Sequence, residues 1–144
     1  MTGFFNKKKV IGYTAGVYDL FHIGHLNIFK NAKKYCDYLV VGINTDELVQ
    51  GYKNRKPMIP LEQRMEIVKA IKYVDKTEAQ DSLDRLVPAL RHNASVVFIG
   101  SDWKGSERWT ENERVLNEHN IKVIYLPNTL GISTTELIKK AKVN

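Results

Sequence analysis

The sequence predicts an α/β fold built on a doubly wound parallel sheet, on three observations. Apolar runs of β-type composition recur along the chain, most clearly Val10–Ala15, Tyr38–Ile43 and Ser95–Gly100. The second of these is apolar almost without interruption, as strands buried on both faces of a parallel sheet are. Between the runs lie segments with apolar residues at helical spacing, and strands alternating with helices imply right-handed crossovers.

The elements follow in order. Val10-Ile11-Gly12-Tyr13-Thr14-Ala15 is the first strand, and it runs into Gly16-Val17-Tyr18-Asp19-Leu20-Phe21-His22-Ile23-Gly24-His25, a strand-to-helix turn. From His25 to Cys36 the apolar positions Ile28, Phe29, Ala32, Tyr35 and Cys36 predict a helix. After the strand Tyr38–Ile43, residues 44–47 start a short helical turn that gives way to Gln50–Pro57, a basic segment read as a mobile loop. Pro60 and Glu62 open a helix with Met65, Val68, Ala70 and Ile71 as its apolar contacts. Tyr73–Lys76 reads as a short strand, and Ser82 to Arg91 as a helix that Pro88 would kink. Beyond Ser95–Gly100 come a loop at 101–105, a polar helix from Glu111 to Glu118 and a strand at Lys122–Leu126. With no repeat and no domain-sized linker, residues 1–144 are expected to form a single Rossmann-like domain, with residues 1–8 a flexible lead-in.

The 144 residues suffice for one well-buried core. Hydrophobic residues at 43% and charged residues at 26% are ordinary for a soluble globular chain. No apolar run approaches the roughly 20 residues of a membrane span. The segment Met1–Lys9 lacks the apolar core and cleavage site of a signal peptide, so a cytoplasmic location is expected. The single cysteine, Cys36, can form neither an internal disulfide nor a metal cluster, and reads as a small core residue at a helix end. A net charge of +6 invites anionic partners. There is no zinc-finger spacing, no aromatic RNA-binding signature and no basic tract beyond Lys7-Lys8-Lys9. Nucleic acid is therefore not an expected partner, and a small phosphorylated substrate accounts for the charge with fewer assumptions.

The chemistry concentrates in the first turn. A helix that begins near Gly24 offers free N–H groups and a positive dipole end. Gly16 and Gly24 let phosphate oxygens approach the backbone, and His22 and His25 can face the same side. Such a turn can grip a nucleoside triphosphate. Attack on an α-phosphate builds charge on its non-bridging oxygens and on the pyrophosphate, and preoriented N–H donors stabilise both without any protein nucleophile. A second helix start, Gly131-Ile132-Ser133-Thr134-Thr135-Glu136, reads as a capping box from Ser133 to Glu136 and can also meet phosphate. On composition alone Lys53, Arg55 and Lys56 are a solvated cluster. Asp19 is expected to hold the turn rather than a metal, and Arg64 can be either an ion-pair partner or a phosphate contact.

His22-Ile23-Gly24-His25, preceded by Gly16-Val17-Tyr18-Asp19, resembles the H-x-G-H nucleotidyltransferase superfamily, whose members transfer a nucleotidyl group to a phosphate and release pyrophosphate. Ile132-Ser133-Thr134-Thr135 is similar to the I-S-T-T signature of that superfamily. Asp102-Trp103, Tyr125-Leu126-Pro127 and the small size narrow the resemblance to the bacterial glycerol-3-phosphate cytidylyltransferases, over residues 9 to 140. That resemblance implies transfer of CMP from CTP to glycerol 3-phosphate, giving CDP-glycerol for teichoic acid or capsule synthesis. It also implies Mg²⁺ with the triphosphate and a homodimer. It assigns His22, His25 and Lys53 to catalysis, and Lys53 and Arg85 to the acceptor. To the nucleotide it assigns Gly16, Val17, Tyr18, His22, Ile23, Gly24, His25, Arg55, Asp102 and Trp103, together with Asn128, Thr129, Leu130, Gly131, Ile132, Ser133, Thr134 and Thr135. Metal ligands stay unassigned.

The chain departs from that pattern in places. Asn128-Thr129-Leu130-Gly131 stands where the family has Arg-Thr-Glu-Gly, and asparagine lacks the charge and donor fork of arginine, for which Lys104 is the candidate replacement. Ser101 replaces an aspartate, and Tyr18 a phenylalanine. Lys53 to Arg64 also resembles heptose-phosphate and flavin adenylyltransferases. An adenylyltransferase is thus the nearest alternative, and a nucleotide-binding module without turnover the alternative of another class.

Overall fold

The computed structural model describes residues 8–143. The lead-in expected over residues 1–8 therefore lies almost wholly outside the described residues. Five parallel strands form the sheet: β1 (Ile11–Gly16), β2 (Tyr38–Asn44), β3 (Lys76–Gln80), β4 (Val96–Gly100) and β5 (Lys122–Leu126). Their order is β3-β2-β1-β4-β5, so the order reverses between β1 and β4. In register, Gly16 lies beside Ile43 and Gly100 beside Leu126, which brings the strand C-termini to one rim. Ligands of such sheets bind in the crevice at this reversal.

Alternation along β2 explains why its sequence is continuously apolar. Leu39, Val41 and Ile43 join one core cluster with Phe29, Val68 and Phe98, while Val40 joins a second with Tyr13, Val97, Trp109 and Leu116. Each such fully buried side chain contributes roughly 1.5–3 kcal/mol. Gly42 is required on this strand because a side chain there would meet the Tyr13 hydroxyl at 2.3 Å.

Helices α1 (Ile23–Ala32), α2 (Asp46–Lys53), α3 (Leu61–Lys69), α4 (Leu86–Arg91), α5 (Glu107–Glu118) and α6 (Thr134–Val143) flank the sheet. Several boundaries differ from expectation for identifiable reasons. Thr45 caps α2 with a hydrogen bond to the Leu48 N–H, and the helix continues through Gly51 to Lys53, ending at a left-handed Asn54. Lys53 is therefore held on a helix, not on a mobile loop. The segment 82–85 is not helical. Asp84 accepts from the N–H groups of Leu86 and Val87, which starts α4 two residues before Pro88. In the first turn the missing N–H of proline costs nothing, so no kink follows. The strand expected at Tyr73–Lys76 instead begins at Lys76. Upstream, Asp75 accepts from the Leu39 N–H and pairs with Lys33, and so pins the approach to β3.

Candidate active site

Gly16 ends β1 at a place where a side chain would meet the Tyr18 ring at 2.9 Å. The chain then turns through two left-handed residues that are not glycine, Tyr18 at φ 54° and Leu20 at φ 48°. Such conformations persist only where the surroundings impose them. Here the buried Asp19 carboxylate accepts from the Met58 N–H at 2.8 Å and the Ile59 N–H at 2.9 Å, tying the turn to the segment before α3. Arg64, 1% exposed, donates to the carbonyls of Val17, Asn44 and Ile59 and to the Asp46 carboxylate. Four of its five N–H donors are spent on structure, so Arg64 acts here as a strut.

His22 is the N-cap of α1. The Gly24 N–H donates to His22 Nδ1 at 3.1 Å, and the His22 N–H donates to His25 Nδ1 at 3.2 Å. With both Nδ1 atoms accepting, each neutral ring carries its proton on Nε2. The rings stack with centroids 3.8 Å apart, and His22 Nε2 is buried with no partner in the protein among the described residues. Burial lowers the pKa of His22. Burial, then His22, then Lys53 push that of His25 down to about 3. The pair is thus uncharged at neutral pH and offers Nε2–H donors in a fixed direction.

His25 lines a cavity of about 240 Å³ with Gly16, Val17, Tyr18, Lys53, Arg55 and Thr134. The segment 128–135 docks beside it. Asn27 Nδ2 donates to Thr129 Oγ1 at 2.8 Å, Thr134 Oγ1 donates to the Asp19 carbonyl at 2.7 Å, and Ile132 stands 3.5 Å from the position of a side chain on Gly24. Ser133 Oγ accepts from the Glu136 N–H, forming its half of the expected capping box at the start of α6. Leu130, 93% exposed, and Gly131, at φ 80°, make the outer bend. Asn128 and Asp102 both place a side-chain oxygen over Gly100, where a side chain would meet them at 2.9 and 3.1 Å. The Lys104 ammonium lies over the Tyr125 ring.

A second cavity, about 260 Å³, opens on the other side of Lys53 and shares Gly16, Val17 and Lys53 with the first. Arg85 lines it, buried above the Trp109 ring with a centroid distance of 5.9 Å. Trp103, expected at the nucleotide, also lines this cavity, with Arg85 rather than with the histidines. Burial and then Arg55 lower the pKa of Lys53. The structure thus brings together His25, Lys53, Arg55 and Thr134 in one cavity, and Lys53, Arg85 and Trp103 in the other.

Sequence reasoning missed Asn44, Tyr52 and Arg108 on the second cavity. Asn44 is the last residue of β2, at the rim where ligands collect. Arg108 was hidden because the polar helix was placed from Glu111. The signal for the earlier start was Ser106, which caps α5 by accepting from the Trp109 N–H.

The sequence matches the family described as Cytidylyltransferase-like over residues 13–140. The chain belongs to that family. Among curated relatives, this cytidylyltransferase-like chain is 37% identical to a glycerol-3-phosphate cytidylyltransferase of Bacillus subtilis over 90% of its own length and 94% of the relative. It is 38% identical to the protein of that name from Bacillus spizizenii, over 92% and 95%. A lipopolysaccharide core biosynthesis protein from Thermoplasma volcanium shares its fold, with a TM-score of 0.70 at 23% identity, over 85% of this chain and 98% of that one.

Among the described residues no three His, Cys, Asp or Glu side chains gather as a metal cage. Both oxygens of Asp19 are already taken by main-chain N–H groups. Among the same residues no helix is long and apolar enough to cross a membrane.

Proposed function

We propose that this cytidylyltransferase-like protein makes CDP-glycerol from CTP and glycerol 3-phosphate. Its chemistry is supported by one observation above others: two cavities, one with a neutral histidine donor and one with a buried arginine, meet at Lys53. A phosphate oxygen of the acceptor attacks the α-phosphorus of CTP in line. A new P–O bond forms, the bond from that phosphorus to the bridging oxygen breaks, and pyrophosphate leaves with the electron pair. Lys53 at the junction offsets the repulsion between two approaching anions. The Nε2–H groups of His22 and His25 and the positive dipole ends of α1 and α6 stabilise charge on the triphosphate as it develops. The identity of the acceptor and of the base is supported by the names of the relatives.

The first cavity is lined by His25, Lys53, Arg55 and Lys56, and the Asp19 carboxylate on it already accepts from two main-chain N–H groups. Such a lining suits phosphate oxygens better than a hard cation. Mg²⁺ bound with the triphosphate would supply charge neutralisation there. A homodimer, a cytoplasmic location and a part in teichoic acid or capsule synthesis belong to the same reading and rest on the resemblance.

Pyrophosphate release with CTP and ATP in parallel, each offered glycerol 3-phosphate, phosphocholine and heptose 1-phosphate, tests the reaction. CTP with glycerol 3-phosphate is expected to be fastest by about tenfold or more, the discrimination available to a few hydrogen bonds. Faster release with ATP and the heptose phosphate would replace the reading with an adenylyltransferase.

A further inference from the structure

A buried charge and a buried dipole, on Arg85 and Asn44, line the same space behind Lys53, and the protein satisfies neither completely. Arg85 is 7% exposed. It donates to the carbonyls of Leu83 at 3.1 Å and Ala15 at 3.4 Å, while its Nε has no acceptor among the described residues. Asn44 is 2% exposed. Its Nδ2 donates to the Tyr52 hydroxyl at 3.1 Å, while its Oδ1 has no donor among those residues. Buried polar groups left unpaired are costly and uncommon, so a free donor and a free acceptor on one cavity point to a ligand that supplies the opposite of each.

The cavity's charge says what one end of that ligand is. Lys53, Arg85 and Arg108 line it, and among the described residues no carboxylate does. A guanidinium fork matches phosphate oxygens, so the phosphate end belongs with Arg85 and Arg108. The other orphan is an acceptor, which needs a hydroxyl or amine hydrogen. Its position is fixed on both sides. The Asn44 carbonyl takes a bond from Arg64 at 2.9 Å, and Tyr52 on α2 holds the side-chain amide.

We infer that Asn44 selects a hydroxylated acceptor: with the phosphate on Arg85 and Arg108, Asn44 Oδ1 accepts a hydrogen bond from a hydroxyl on the carbon chain. This rests on the acceptor reading above and adds what sets the acceptor class, a phosphorylated polyol in preference to a phosphorylated alkyl alcohol. An apolar chain in the same place would leave Asn44 Oδ1 buried and unpaired, and a site built to bond a hydroxyl rejects the analogue without it.

Calorimetric binding of glycerol 3-phosphate and of propyl phosphate, with α,β-methylene CTP present, tests the assignment. The two ligands have the same number of carbons, and propyl phosphate has no hydroxyl. The wild-type protein is expected to bind glycerol 3-phosphate about tenfold or more tightly than propyl phosphate. Asn44→Ala should bring the two within about twofold by weakening only the first. A wild type with no preference, or an Asn44→Ala protein that keeps it, overturns the inference. If Asn44→Ala does not fold, Tyr52→Phe decides: it removes only the partner that orients the amide. A severalfold smaller preference supports the inference and an unchanged one overturns it. Pyrophosphate release separates the two readings. Preference without turnover removes the proposed reaction and leaves the pocket, whereas turnover without preference does the reverse.

Discussion

The cavity at the start of α1 and the cavity behind Lys53 both carry cations that suit phosphate, yet the first adds a neutral histidine donor and the second a buried arginine. His22 and His25 are kept uncharged by burial, and each is oriented by a main-chain N–H on Nδ1. Arg85 keeps its charge, buried beside Arg108 and Lys53 with no carboxylate among the residues lining that cavity. The difference matches the two tasks. Donors that are fixed and uncharged suit charge that grows during the reaction, whereas a buried cation gains most from an anion already complete on arrival. Lys53 stands in both cavities and shares in both tasks.

The largest expected effect lies on the histidine side. His22→Ala should lower turnover at saturating substrates by roughly 10²–10³, with acceptor KM little changed. Steady-state pyrophosphate release decides, and an unchanged kcat would remove His22 from the catalytic machinery. On the cation side Arg85→Met should act through binding. The KM for glycerol 3-phosphate is expected to rise about tenfold or more while the KM for CTP holds, since hydrogen bonds to charged groups are worth roughly 1.5–3 kcal/mol. A rise in both constants would break the division between the cavities.

Smaller effects probe the supports. Thr134→Val deletes the bond to the Asp19 carbonyl and should cost about 1 kcal/mol by denaturant titration, with a few-fold rise in the KM for CTP. The mildest effect is one of pH. The folded pKa of His25 lies near 3, below the ordinary value of 6.5, so between those values the unfolded chain binds a proton that the folded one does not. Stability from this group is complete above pH 6.5 and declines as the pH falls toward 3. Thermal melts from pH 7 to 5 should fall less steeply for His25→Gln than for wild type, and parallel slopes would contradict a buried neutral ring.

Much of this arrangement was legible in the sequence, and unevenly so. The apolar runs placed β1, β2 and β4 within about a residue, because strands buried on both faces leave little choice of residue type, and β5, though an edge strand, kept the apolar run Val123–Leu126. β3 escaped because Lys76-Thr77-Glu78-Ala79-Gln80 is an edge strand with a mostly polar sequence. The first turn declared itself through two histidines and two glycines in close sequence. The second cavity declared itself only in part: the resemblance named Lys53 and Arg85, but Asn44 at the end of β2, Tyr52 on α2, Arg85 before α4 and Arg108 on α5 meet only when the sheet is assembled. No spacing along the chain records that meeting.

The clamp of Asp19 on Met58 and Ile59 carries a consequence for how substrates arrive. Asn54 ends α2 on one side and the clamp holds Met58 on the other, leaving only Arg55, Lys56 and Pro57 between two fixed points. So short a span, tethered at each end, has no room to swing away as a door. Its two cations draw anions through an opening that is already there, and for this part of the rim ionic strength, more than the rate of any loop movement, should govern how fast the nucleotide is captured.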